Sequence, residues 1–583
     1  MKFCLKDIYR LGFALGLSSL IVFALGHVGL ITPPFLLLSI FIPAALLSFF
    51  AWRAKRTRMP QEWTLKHKLL IGAVLVSIII IVPLALIPPI VRDELISHLA
   101  IPKLYLQKGA IHEIPFMNYS YLPQNIDLLY MISLGLGSDV VPKLIHLGFA
   151  VATGLVIYFY LARASGRATG LVGMLLYLTV PLVSNLSRTA YIDNGAAFYS
   201  TLAVVAALRW KDNDEFKWFV LSSISMGLAM SAKYNTILSF ALVSGFVFIT
   251  CLNKKRYALA LVNTAAYAAI AIAVLSPWLL RNYFWTGSPL YPLYESAASS
   301  VGKGEGVHVT TELAPIAKRI VLYNEGVLDI VLIPIRIFIG GEDNSIQKFD
   351  GVLNPLFLVL MPLAFIKRRG GEIKYLALFA GLFIAMAILS VDLVSRYLMP
   401  VVPLFAIFAA LGLRNLYGTR LKWLAIALAV ATVGCGFAYE KGLYDKYRPL
   451  SYLFGNDTRE AYLERMLPDY KAVSYANSRI PEGSRVFLLF SGDRGYYWER
   501  DYFYGDRMGK LLKVMVLSSK NAEEFEARLR DIGITHLFFN DEIFERFLND
   551  NFEGDGLKRV AEFFNVHAKR LFDANGYSIY EIK

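Results

Sequence analysis

The chain has 583 residues, of which 56% are hydrophobic and 18% charged, and a mean hydropathy of +0.49; these values exclude a soluble globular protein and indicate a polytopic membrane protein. The formal net charge of +14 sits in short Lys and Arg clusters between apolar runs, which orient helices in a bilayer and form no stripe for nucleic acid. Cys4, Cys251 and Cys435 lie in or beside apolar segments without metal-ligand spacing, so neither a disulfide framework nor a zinc site is expected.

Residues 1–10 and the apolar run after them have the charge pattern of a signal peptide, but the run is about 20 residues long and lacks a clear small-x-small cleavage site, so it reads as an uncleaved first span. At about 17–25 apolar residues per crossing, spans are expected near 11–30, 34–52, 69–91, 140–161, 168–186, 194–209, 218–231, 236–252, 258–277, 352–366, 375–391, 397–413 and 424–438. That makes about thirteen. Basic clusters fall at every second boundary: Lys2/Lys6/Arg10, Arg53/Lys55/Arg56/Arg58, Arg163/Arg167, Lys211/Lys217, Lys254/Lys255/Arg256, Lys367/Arg368/Arg369 and Arg414/Arg420/Lys422. All of them can be cytoplasmic at once. The extracytoplasmic side then receives the large loops 92–139 and 278–351, the turns around Asp193, Lys233 and Arg396, and the C-terminal tail. The apolar stretch 326–340 is short and carries Asp329, Pro334 and Arg336, so it reads as an interfacial or re-entrant helix. Residues 1–439 thus form a multi-span membrane domain. From about residue 440 the composition is that of a soluble domain; 485–490, 536–539 and 577–582 read as buried strands and 522–531 as a helix, giving a small α/β fold for 440–583.

The polar residues at the extracytoplasmic mouths are the candidates for chemistry, because charge at a membrane boundary is costly unless it has work to do. In the segment Arg92-Asp93-Glu94-Leu95-Ile96-Ser97-His98, the adjacent carboxylates of Asp93 and Glu94 point about 100° apart on a helix, so only one of them faces a given reacting atom. Capping and dipole complementation explain the same pair structurally. His98, four residues after Glu94, shares its face and reads as a structural or substrate-positioning residue. The strip Asn118-Tyr119-Ser120-Tyr121-Leu122-Pro123-Gln124 is polar and aromatic, as sugar-lining strips are and as ordinary loops also are. Asp193 sits at the mouth of the next span, where it caps the helix, pairs with Arg188, or positions an acceptor hydroxyl or the partner of a second carboxylate. Lys233, followed by Tyr234, is a lone cation that either snorkels to headgroups or contacts a phosphate. Arg281-Asn282 lies in an aromatic, proline-rich run from Ser276 to Pro292, and Arg396-Tyr397 opens another span, where a guanidinium can fork a phosphate.

Together these stretches resemble the membrane glycosyltransferases of the C-type fold (GT-C) that use lipid-carrier sugars, in particular the group containing the protein O-mannosyltransferases and the enzyme that adds aminoarabinose to lipid A. The resemblance rests on Asp93-Glu94, the Asp193 turn, Lys233-Tyr234, Pro277-Trp278 with Arg281-Asn282-Tyr283 and Thr286-Gly287, and Arg396-Tyr397 with Pro400, over about residues 69–440. The apolar hairpin 11–52 before the span that usually comes first departs from the pattern, and no C-terminal motif identifies an acceptor. The resemblance implies a mainly α, polytopic helical bundle in a prokaryotic plasma membrane, with an extracytoplasmic α/β domain. Its implied partners are a polyprenyl-phosphate sugar donor, membrane lipids and a glycan, lipid or protein acceptor. It implies Asp93 as base with Glu94 next and Asp193 as a further catalytic carboxylate. Lys233, Arg281 and Arg396 are then donor-phosphate ligands, and His98, Tyr121, Tyr234, Asn282 and Tyr397 substrate-positioning groups. The departing lipid phosphate is already anionic and the attack is direct, so inversion is the simpler course. No cofactor is required by the sequence and no metal ligand set is assigned, although a divalent metal is compatible, since some relatives of this fold use one. A secondary transporter or lipid-linked sugar flippase is the alternative; it calls for midplane charges on broken helices and internal repeats, whereas here the polar groups gather at the mouths.

Overall fold

The computed structural model describes residues 4–53, 62–293, 314–366, 371–390, 393–505 and 509–583. The expected basic residues Lys2, Lys55, Arg56, Arg58, Lys367, Arg368 and Arg369 lie outside them. The chain divides into two compact units: 1–87, 105–113 and 120–449 form one, and 88–104, 114–119 and 450–583 the other.

The first unit is helical. Seven of its described helices are long and apolar enough to cross a membrane: Leu5–His27, Leu65–Leu86, Val141–Ser165, Tyr234–Asn253, Tyr257–Thr286, Gly371–Ser390 and Lys422–Tyr447. The pair Arg167–Leu178 and Pro181–Ser187 makes an eighth if counted as one span, and Pro33–Phe49, Phe216–Ala232 and Val402–Tyr417 are shorter apolar helices. The protein is an integral membrane protein with a helical bundle.

Several expected spans differ from continuous helices, and in 168–186 and 352–366 a proline, Pro181 or Pro362, opens the segment after the break. The 168–186 span bends by 67°, because Pro181 cannot donate to the preceding turn and forces Val180 into extended backbone. The 352–366 span is only a short helix, Phe357–Leu360, followed by a 3-10 turn, Pro362–Phe365. Its loose carbonyls are taken up by neighbours: Asn415 Nδ2 donates to Leu363 O at 2.9 Å and to Ala364 O at 3.2 Å. Asn354 Nδ2 in turn reaches Thr432 O at 2.8 Å. Irregular backbone at membrane depth is tolerable only when protein groups satisfy it in this way. Gly412 permits the approach, since a Cβ there would lie 2.1 Å from Leu360 O. The third expected span, 69–91, ends as a helix at Leu86, where Pro88-Pro89 keeps Ile87 extended.

The helix Asp193–Asn213 is buried on every side from Asp193 to Leu208. Its small residues, among them Gly195, Ala196, Ala197, Ser200 and Ala203, let neighbouring helices close around it. A helix so enclosed holds its first residue, Asp193, in a fixed place. In the 326–340 stretch, two short helices, Val327–Val331 and Ile333–Ile339, meet at Leu332. They are anchored by Glu325, which accepts from Arg319 Nε and Nη2 at 2.8 Å each and from Arg336 Nη2 at 3.0 Å.

The second unit carries a five-stranded sheet in the order β2-β1-β3-β5-β4. The strands are β1 Arg485–Leu489, β2 Asp501–Tyr504, β3 His536–Asn540, β4 Ala568–Ala574 and β5 Tyr577–Ile582. β1 runs parallel to both β2 and β3, with Val486 opposite Tyr502 and His536, while β3–β5 and β4–β5 are antiparallel. Asn575 and Gly576 both have positive φ and close the β4–β5 hairpin in the twist-matched sense. Helices Lys510–Ser518, Ala522–Asp531 and Asp541–Asn551 accompany the sheet, and Phe487, Phe525, Leu529, Leu537, Phe539 and Phe563 form the core. This is the small C-terminal α/β domain that the sequence predicts, with β2 and β4 added; its C-terminal part begins at Leu450 rather than at residue 440, because 440–447 continue the helix Lys422–Tyr447. It also takes in 88–104, which the sequence pattern divides between the end of the 69–91 span and a helix opening the outer loop.

Candidate active site

In the first unit a charged cluster forms at the N-terminal end of the helix Asp193–Asn213. Asp193 is 1% exposed and accepts from Lys233 Nζ at 2.5 Å. It therefore pairs with Lys233 and not with Arg188, whose Nε and Nη2 go to Asn185 Oδ1 and Tyr447 Oη. Lys233 lies at the break between the helix Phe216–Ala232 and the 3-10 turn Tyr234–Thr236, in extended backbone. Its ammonium is 5.0 Å from the centre of the Tyr397 ring. The guanidinium of Arg396 is 5.2 Å from the Tyr191 ring and 5.7 Å from that of Tyr397, and Asn235 Nδ2 donates to Tyr397 O at 3.0 Å. Asp193, Lys233, Arg396 and Tyr397 are thus brought together: one carboxylate, two cations and their aromatic supports; Tyr234 follows Lys233 in the chain, but its phenol interacts with Arg281.

His146, which no sequence motif marked, braces this cluster. Its Nδ1 donates to Leu186 O at 2.8 Å and Thr189 O at 2.9 Å, and its Nε2 accepts the Asn194 backbone N–H at 2.9 Å. Two carbonyls on one nitrogen and a donor on the other fix the neutral Nδ1–H tautomer. The ring therefore welds the 186–194 turn to the helix Val141–Ser165.

Arg281, Asn282 and Tyr121 form a second, tightly braced group. Arg281 makes hydrogen bonds to Asn282 Oδ1 from Nε and Nη2 at 3.2 and 2.9 Å, to Gln124 Oε1 at 3.2 Å and to Leu122 O at 3.1 Å. Asn282 Nδ2 holds Tyr121 O at 2.8 Å and Tyr291 O at 3.0 Å, and Tyr121 Oη donates to Glu113 Oε1 at 2.6 Å. Here Arg281 is largely committed to protein acceptors, so its geometry is that of a clamp on the 121–124 strip. The clamp leaves polar atoms unpaired next to it: Gln124 Nε2 and both side-chain amide atoms of Asn125 are buried without a hydrogen-bond partner, as are Asp193 Oδ2, Tyr234 Oη and Asn235 Oδ1. Buried polar atoms are almost always paired, so such a set marks a place where polar ligand or solvent groups belong. Asn125 escaped the sequence reading because it merely opens a helix after a loop.

Asp93, Glu94 and His98 belong to the second unit. Here the two carboxylates separate in role. Glu94 is 1% exposed, and its Oε2 accepts the backbone N–H groups of Val91 at 2.9 Å and Ile90 at 3.2 Å, closing the turn after Pro88-Pro89. Asp93 is half-buried just before the π-turn Glu94–His98, a wide turn of the kind that recurs at functional sites. His98 closes that turn, half-buried. The segment is sewn to its own unit: Leu95 O accepts from Tyr496 N at 3.0 Å, Lys103 Nζ donates to Tyr496 O at 2.8 Å and Trp498 O at 2.9 Å, and Tyr497 Oη donates to Pro89 O at 2.7 Å. Burial lowers the pKa of the Lys103 ammonium. Among the described residues no group of three or more His, Cys, Asp or Glu is gathered as metal ligands would be.

Residues 131–280 match the model of the dolichyl-phosphate-mannose-protein mannosyltransferase family. The fold is similar to that of ArnT from Cupriavidus metallidurans bound to undecaprenyl phosphate, with a TM-score of 0.57 at 14% identity over 88% of this chain and 97% of that one. The apo state of the same ArnT gives a TM-score of 0.54 at 12% identity over the same shares. No curated protein matches the chain in sequence. The chain has the GT-C fold of ArnT, a membrane helical bundle with a small C-terminal sheet domain.

Proposed function

We propose that this protein is a membrane glycosyltransferase that moves a sugar from a polyprenyl-phosphate carrier to an acceptor hydroxyl at the extracytoplasmic face, with inversion at the anomeric carbon. The observation that carries the reading is the buried Asp193–Lys233 pair with Arg396 and Tyr397 beside it, in a chain whose fold is that of a protein crystallised with undecaprenyl phosphate. Two cations held by aromatic rings at the end of a fixed helix suit a lipid phosphate. In the step proposed, the acceptor oxygen attacks the anomeric carbon as the bond to the phosphate oxygen breaks. The bonding electron pair leaves with the phosphate, stabilised by Lys233 and Arg396, and the acceptor proton passes to Asp93. Glu94, spent on backbone N–H groups, is assigned to holding the turn. Drawn this way, the step needs no metal ion.

The test is transfer from labelled polyprenyl-phosphate sugars in membranes carrying wild type, Asp93→Asn or Glu94→Gln. Asp93→Asn abolishes transfer at unchanged expression. Glu94→Gln weakens it less, in proportion to lost stability. Transfer undiminished in Asp93→Asn removes Asp93 from the base role, and a wild type that consumes no polyprenyl-phosphate sugar of any kind overturns the reading itself.

A further inference from the structure

Glu440 is a buried carboxyl group that the transfer step leaves unused. It lies in the first unit, on the helix Lys422–Tyr447, whose buried side carries Gly436, Glu440 and Tyr447 in line. That side packs on the elbow between the helices Arg167–Leu178 and Pro181–Ser187. A Cβ at Gly436 would lie 2.2 Å from Thr179 O, Glu440 Oε1 is 2.7 Å from Ser184 Oγ, and Tyr447 Oη accepts from Arg188 Nη2 at 2.9 Å. Glu440 is 1% exposed, and its Oε2 has no hydrogen-bond partner. Among the described residues no cation pairs with it. Tyr444, one turn on, interacts with Glu440 but gives its hydroxyl to Ile80 O. Arg188 is taken by Asn185 and Tyr447, Asp343 by Asn185 and Tyr439, and Tyr177 lies against Thr153. Lys441, Asp445 and Lys446 are exposed, and Lys66, His67, Lys68, Arg167 and Arg414 sit at the far ends of their helices. A carboxylate ion so enclosed would be uncompensated, and an ionisable residue retained inside a membrane bundle marks a function.

The hydrogens at the elbow settle the charge. The break leaves Leu178 O without a helical donor, because Pro181 has no N–H and the Leu182 N–H goes to Val352 O at 2.9 Å. The Ser184 hydroxyl fills that place, 3.2 Å from Leu178 O. A hydroxyl has one hydrogen, so Ser184 cannot serve both Leu178 O and an ionised Glu440. With a proton on its Oε1, Glu440 donates to Ser184 Oγ and Ser184 donates to Leu178 O, a continuous chain that closes the elbow. The same elbow presents Leu186 O and Thr189 O to His146 Nδ1, and His146 Nε2 holds the Asn194 N–H beside Asp193. We infer that Glu440, in its protonated form, is a positioning residue for Asp193, locking the elbow that holds the start of the helix Asp193–Asn213. The consequence for turnover rests on the transferase reading; the lock itself does not. A locked elbow binds one proton more than an elbow released with Glu440 ionised, so raising the pH weakens the lock.

Full-length protein in nanodiscs is compared as wild type, Glu440→Gln and Glu440→Leu. The Gln amide keeps a donor for Ser184 at every pH, and Leu has none. Without donor substrate, the infrared difference between wild type and Glu440→Gln at neutral pH shows a protonated carboxylic acid band, which disappears as the pH is raised. Hydrogen exchange of the 178–194 segment, corrected for the intrinsic rate, rises with pH in wild type and stays level in Glu440→Gln. With a labelled polyprenyl-phosphate sugar, kcat of wild type falls on the alkaline side, that of Glu440→Gln does not, and that of Glu440→Leu is about tenfold lower throughout. If the leucine variant does not fold, Glu440→Gln against wild type decides the matter. A carboxylate in place of the acid band at neutral pH, or exchange that responds to pH alike in both proteins, overturns the lock. Exchange that rises with pH while wild-type kcat stays level overturns the positioning role. The infrared and exchange measurements need no donor substrate, so a protein that consumes no polyprenyl-phosphate sugar fails the transferase reading while the lock is judged on its own.

Discussion

Asp193 and Lys233 form a buried ion pair, and the pair constrains how either can be probed. Removing one partner leaves an uncompensated charge in the interior, at a cost of about 3–5 kcal/mol, so Lys233→Ala loses activity partly through stability. The double change Lys233→Met with Asp193→Asn removes both charges at similar volume. It is expected to unfold close to wild type in a thermal melt while donor turnover falls at least about 100-fold; turnover retained by a stable double variant would show that the pair is structural only. Glu325 offers a test by pH. The guanidinium groups of Arg319 and Arg336 outweigh the effect of burial and hold its pKa below the ordinary 4.5. A depressed folded-state pKa gives stability that is present above the unfolded value and lost as pH falls through the folded one. Hydrogen exchange of the 315–350 segment should therefore be slow at neutral pH and rise below about pH 4.5, whereas Glu325→Gln should exchange faster at neutral pH and change little on acidification. Equal protection in both proteins at every pH would contradict this anchoring.

Among the elements, the broken 352–366 segment carries the clearest consequence. Asn415 is the donor that satisfies Leu363 O and Ala364 O, so Asn415→Leu leaves two carbonyls unpaired at membrane depth, a loss of about 1–3 kcal/mol that a thermal melt in detergent would register. An unchanged melting temperature would mean that another group replaces the amide. This element was illegible in the sequence because an apolar run of this length fits a span, and only the tertiary partner Asn415 reveals that its backbone is open. The bend at Pro181 and the stop before Pro88-Pro89 were readable in principle from proline chemistry alone. β2 and β4 were missed for another reason: Asp501–Tyr504 is short, and Ala568–Ala574 fully buries only Ala568, so neither carries the buried-strand signal that exposed β1, β3 and β5.

At the scale of the whole molecule, the residues most visible in the sequence were charged ones at the ends of apolar runs. Asp193, Lys233 and Arg396, far apart in the chain, are assembled around one helix end. What the sequence withheld was neutral: His146, Asn125 and Asn235 carry no charge to attract attention, and their importance lies in partners set by the fold. Also hidden was the membership of 88–104 in the C-terminal unit, which depends on contacts with 496–498. The proposed transfer from a polyprenyl-phosphate sugar, with Asp93 as its base, is the central claim. It is tested most directly by supplying purified protein in nanodiscs with a labelled polyprenyl-phosphate sugar and following donor consumption in wild type and in Asp93→Asn. The account predicts that wild type consumes donor and that Asp93→Asn still binds it but turns it over about 10²–10⁴-fold more slowly; equal turnover in the two proteins would contradict it.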